Sequence, residues 1–244
     1  MAKSSSMTLD EMVTELSRVY GQGLRSIVLY GSAASGEHVQ GQSDHNVLVI
    51  VDRVDRSRLQ QLAEMSRAWV EAGNPLPLTL THAEWTRSAD IFPMEYADIL
   101  ERHRVLKGES PFAGIQVVLR DLRLQVEHEA MGKLLRLRAG VMKAGSDTKR
   151  QNALMLDSLS ALMVIFRAVM RLHGEVPPRD MHAVAKFVAA RAVFDVAAFD
   201  KVIALAREGR ALLAADTEST LDAYVAGMEA LVTYLDGYQL PLEV

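Results

Sequence analysis

Two short runs of branched apolar residues, "SIVLY" and "VLVIV", stand close together in the first fifty residues. The connection between them opens with Gly31-Ser32 and closes with Ser43-Asp44. Runs this short, rich in Val, Ile and Leu and ended by glycine, read as buried strands rather than helices. Buried strands need neighbours beside them and cover on both faces, so the stretch demands a sheet with helices packed on it. Suitable helix patterns flank it. Residues 8–20 carry Thr8 as N-cap, Glu11 at capping-box spacing and Met12, Leu16 and Val19 at helical intervals. Residues 56–72 repeat the pattern through Leu59, Leu62, Met65 and Trp69. A third strand is expected over 76–81, at an edge because Pro77 interrupts it, and a further strand over 92–100.

Beyond Pro111 the texture changes. Long amphipathic segments cover 115–143, 148–173, 179–193, 197–213 and 217–235, with Gly and Pro gathered at joints such as "KAGSD" and "HGEVPPRD". This predicts an α/β domain over 1–110, its boundary near 107–111, and a bundle of about five helices over 111–244. A length of 244 residues, 49% of them hydrophobic, supplies cores for both.

A net charge of −4 gives no electrostatic ground for nucleic acid or an anionic membrane as partner. The absence of cysteine excludes disulfides and thiolate metal sites and fits a reducing compartment. The opening "MAKSSSMTLDEMV" has no apolar core of a signal peptide, and 153–170, broken by Asp157 and Arg167, reads as too short and too charged to span a bilayer. The expectation is a soluble cytoplasmic protein. Seven scattered histidines show no zinc-ligand spacing. Arg120, Arg123, Lys133, Arg136 and Arg138 interleave leucines and read as the solvated face of an amphipathic helix. Phe187, Val188, Val193, Phe194, Val196 and Phe199 exceed what one helical stripe buries, and a symmetric second copy would cover the surplus as a homodimer.

Strand, Gly-Ser turn, loop, Ser-Asp, strand: over residues 27–51 the chain resembles the nucleotidyltransferase superfamily. The nearest likeness is to aminoglycoside nucleotidyltransferases and related bacterial proteins with a helical C-terminal domain. The resemblance implies a small mixed sheet with flanking helices followed by a helical bundle. It also implies that Gly31, Ser32 and Ser43 hold a nucleotide phosphate, where glycine admits close backbone approach. In the family two acids at i and i+2 on the second strand share a face and hold Mg²⁺ against a nucleoside triphosphate. A third acid on a neighbouring strand completes the site or serves as base.

This sequence departs from that pattern. Asp44 has the first acid's position, but Asn46 stands where the second belongs, so the metal positions are Asp44 and Asn46. Alternation sends His45 to the opposite face, and on 76–81 Thr79 or Thr81 occupies the third acid's place. Each lost acid costs about 3 kcal/mol of transition-state stabilisation, which points to a nucleotide-binding or regulatory module with weak or lost Mg²⁺ chemistry, a pseudoenzyme. The rival reading is a working transferase that moves a nucleoside monophosphate to a hydroxyl of a small molecule or protein. It would use Asp44 with Asp98, or Glu95, from "FPMEYADIL" as the catalytic partner. A third is a bundle partner that binds no nucleotide.

Overall fold

The structure is a computed structural model that describes residues 7–35 and 45–240. The chain divides into two compact units, residues 1–117 and 118–244.

The first unit is built on four strands, β1 (Leu24–Tyr30), β2 (Asn46–Val51), β3 (Leu78–Thr81) and β4 (His103–Gly108), in the order β3-β2-β1-β4. β1 pairs antiparallel with both β2 and β4, and β2 pairs parallel with β3, which makes the sheet mixed. The β3 strand is at an edge, where Pro77 just before it costs no ladder hydrogen bond. Both central strands are buried because both faces are covered. On one face Ile27, Leu29, Val47, Val49 and Val51 pack against Met12, Leu16 and Tyr20 of α1 (Leu9–Tyr20) and Met65 and Trp69 of α3 (Ala63–Glu71). On the other, Val28, Leu48 and Ile50 meet Trp85 of α4 (His82–Arg87) and Tyr96 and Ile99 of α5 (Pro93–Glu101). Thr8 and Glu11 form the expected capping box on α1, and Thr81 and Glu84 form a second on α4.

Three sequence expectations change here. Residues 92–100 hold a helix, α5, and not a strand: Pro93 sits in its first turn with φ suited to helix, and Tyr96 and Ile99 share a buried face. The fourth strand is "HRVLKG", directly after it. Residues 56–72 form two helices, α2 (Arg56–Gln61) and α3, parted at Leu62. The first unit also reaches Val117 rather than ending near 110, because Phe112, Ile115 and Val117 pack on the Trp85 side of the sheet.

The second unit consists of α6 (Leu119–Ala144), α7 (Thr148–Leu172), α8 (Met181–Ala192), α9 (Ala197–Glu208) and α10 (Ala214–Asp236). By length and composition α7 could cross a membrane, unlike the shorter 153–170 segment considered from sequence. Half of its most apolar window is instead buried within the protein, including Met155, Leu159, Leu162, Phe166 and Val169. The apolar interval expected to need a second copy is largely absorbed inside the bundle. Val188 and Phe199 are buried, Phe194 packs against Phe166 and Phe199, and Val193 alone of the six is open, at 85% exposure. Arg123 does not lie on a merely solvated face. It donates to the carbonyl of Tyr238, just past α10, at 2.9 Å and to that of Leu235 in the last turn of α10 at 3.4 Å, and pairs with Glu127 at 3.1 Å.

Candidate nucleotide site at the ends of β1 and β2

β1 ends at Tyr30, whose cross-strand partner is Asn46, the first residue of β2. Side chains alternate along a strand and partners share a face, so Tyr30 and Asn46 lie on the face that carries Val28, Leu48 and Ile50. Gly31 follows with φ +76°, a left-handed conformation that turns the chain into a short 3₁₀ segment, Ser32–Ser35. Its N–H donates to the Arg102 carbonyl at 2.9 Å, and its carbonyl accepts from the Ala34 N–H at 3.1 Å. A Cβ at Gly31 would sit 3.6 Å from Asn46 Nδ2, so the turn and the head of β2 are in direct proximity. Arg102 links this turn to the end of α5, and the next residue, His103, pairs with Tyr30 from the other side.

α5 brings acids to the same face. The Tyr30 hydroxyl is held above the usual phenol range, first by burial and then by the negative charges of Asp98 and Glu95. Glu95 and Asp98, three residues apart on a helix, share a side of α5. Tyr30 did not stand out in the sequence; its signal is its place, closing β1 immediately before Gly-Ser.

The other candidates fall differently. Ser43 and Asp44 lie outside the described residues, and the description of Ser32 stops at its backbone. His45 is on the opposite side from Asn46. Its ring stands 5.9 Å from Trp69, and both its backbone N–H and its Nδ1 approach Asn74 Oδ1, at 2.9 and 3.2 Å. The positions expected to replace the third acid are corrected by the register. Thr79 is the partner of Val49 and Thr81 of Val51, so both belong to the α1/α3 face, and Thr81 is committed to capping α4. On the Asn46 face β3 offers Leu78 and Leu80, and Leu80 packs into the Trp85 cluster. Among the described residues no group of three or more His, Cys, Asp or Glu is placed to hold a metal ion.

The order of the elements, the mixed four-stranded sheet and the helical second unit have a counterpart among solved structures. The spectinomycin adenyltransferase AAD(9) from Enterococcus faecialis, solved with ATP and spectinomycin, matches 94% of this chain and 100% of its own. The TM-score is 0.57 and the sequence identity 10%. This chain has a nucleotidyltransferase fold. No protein-family model and no curated protein sequence matches it. In the nucleotidyltransferase fold of this chain, the Gly31 turn, Asn46 and the acids of α5 are gathered at one end of the sheet.

Proposed function

We propose that this protein uses the Gly31 turn and the adjoining end of β2 to bind a nucleoside triphosphate, and that it acts as a binding or regulatory module rather than an efficient transferase. The observation that carries the reading is Asn46, an uncharged amide on the strand position beside Tyr30 and facing the α5 side of the sheet. AAD(9), of similar fold, was solved with ATP and spectinomycin, which favours a nucleotide and a small-molecule acceptor as ligands here. Gly31 supplies the close backbone approach a phosphate needs, with Ser32 and Ser43 as candidate hydroxyl donors.

The donor set on the strands does not fit two magnesium ions. The described part of β2 offers an amide oxygen and no carboxylate, and β3 presents Leu78 and Leu80 where an acid would have to project. Mg²⁺ wants charged oxygen ligands and near-octahedral geometry, and the strand positions that hold it in the family supply here one acid, Asp44, and the amide of Asn46.

One observation favours a second reading, a working transferase. Asp98 and Glu95 act electrostatically on Tyr30, so α5 carries negative charge to the Asn46 face. Asp98 would then take the proton of an acceptor hydroxyl as that oxygen attacks the α-phosphate, with pyrophosphate leaving. A transfer assay with labelled nucleoside triphosphates and a panel of hydroxyl acceptors separates the two. The binding-module reading expects turnover well below about one per second. Faster turnover that Asp98→Asn abolishes would replace it with the second reading.

A further inference from the structure

The second unit exposes an apolar seam on α6 that its own helices leave uncovered. Leu124, Met131, Leu135 and Met142 are 52%, 43%, 56% and 79% exposed. With His128 and Arg138 they recur at intervals of four and three residues, the spacing of a coiled-coil seam. The core-facing positions, Leu122, Val126, Ala130, Leu134 and Leu137, form a separate stripe on the far side of the same helix. A helix with two apolar faces in water calls for a second partner, and the seam specifies which.

We infer that the partner is a second copy of this chain, with α6 packed antiparallel against α6 of the copy about a two-fold axis level with residue 133. The seam is its own complement when reversed. Leu124 and Met142, His128 and Arg138, and Met131 and Leu135 are each equidistant from residue 133, so each would meet the other member of its pair across the axis. Charge supports the same register independently. Glu127 borders the seam on the side of Arg138 and would lie beside the partner copy's arginine in this alignment. On the opposite border stand Gly132 and Ala139, small residues that admit close approach, and nothing lies within 4 Å of where a Gly132 Cβ would be. A groove of about 350 Å³ lined by Val141, Met142, Val225 and Ala226, together with Arg138 and the carboxylates of Asp222 and Glu229, continues the seam toward α10 and is placed to receive the copy's Leu124. The intrachain bridge of Arg138 to Glu229, at 2.7 Å, holds that arginine at the rim of the groove.

Light scattering of the wild-type chain at about 50 µM should give twice the 26.9 kDa chain mass, and Leu135→Glu should weaken the association at least tenfold. Glu127→Arg should weaken it too, and Glu127→Arg with Arg138→Glu should recover it, which a dimer formed elsewhere would not do. Because the chain has no cysteine, Met131→Cys with Leu135→Cys gives a clean cross-link test. Oxidation should join two chains, while Ala183→Cys with Lys186→Cys on α8 should not. A 26.9 kDa species alone, or a dimer that survives Leu135→Glu and does not cross-link through positions 131 and 135, overturns the inference.

Discussion

Asn46→Asp exchanges one amide nitrogen for an oxygen at the head of β2 and should convert weak metal-independent nucleotide binding into binding that Mg²⁺ strengthens. The geometry tolerates the change. The amide nitrogen lies 3.6 Å from the space beside Gly31, and the carboxylate is isosteric with the amide. A unit charge about 4 Å from another is worth about 4 kcal/mol at an effective dielectric near 20, and more for a dication. Against this stand the cost of desolvating the new carboxylate and its repulsion from Asp98 and Glu95, whose charges already bear on Tyr30 on the same face. A net gain of about 1.4 kcal/mol, a tenfold tighter Kd for Mg·ATP, is the expected result. Calorimetric titration with ATP in Mg²⁺ and in EDTA measures it. The gain should appear only with Mg²⁺, and in EDTA the extra negative charge should weaken binding. Asp44→Ala should remove any Mg²⁺ dependence from either background. If Asn46→Asp leaves both titrations unchanged, position 46 does not face a bound triphosphate and the assignment of the site fails.

Gly108→Ala should disrupt the sheet: Gly108 has φ +82°, and a Cβ there would sit 1.8 Å from the Arg25 carbonyl oxygen. A loss of about 3 kcal/mol or more is expected, read as the shift in urea midpoint. Trp85→Phe should cost about 1–3 kcal/mol in the same assay, because it leaves the Pro111 carbonyl without the indole N–H that donates to it at 2.7 Å. In the bundle, burial and then Arg191 hold the His173 imidazole below its ordinary 6.5, while its Nε2 lies 2.7 Å from the Tyr234 hydroxyl. The unfolded chain therefore takes up a proton first as pH falls, so this group's stabilisation is present above pH 6.5 and lost on acidification through the lowered folded value. Melting temperatures at pH 7.5 and 5 should show that loss, and His173→Gln should flatten it.

Much of the first unit was legible because its signals are local. Gly after a β-branched run, the Thr8 and Glu11 pair and the proline before an edge strand each act within a few residues. What misled was non-local. "FPMEYADIL" satisfies both strand and helix periodicity, and the decision came from Pro93 in the first turn and from Tyr96 and Ile99 finding the sheet. The face of Thr79 depends on β3 running parallel to β2 in the register that pairs it with Val49, and no property of residues 76–81 encodes that. The same limit governed Phe194 and Phe199, whose partners Phe166 and Tyr224 come from α7 and α10. The departure at Asn46 was readable at once, but its proximity to Gly31 and its shared face with Tyr30 required the β1–β2 pairing.

On the function proposed here, a nucleotidyltransferase fold keeps a phosphate-binding turn while its strands lack the charge to hold metal. Titration of the wild-type chain with ATP, in EDTA and then in Mg²⁺, tests it most directly. Saturable binding of one nucleotide per chain is expected in EDTA, strengthened less than about tenfold by Mg²⁺. Absence of binding at millimolar ATP in both conditions, or binding that requires Mg²⁺ altogether, would contradict it.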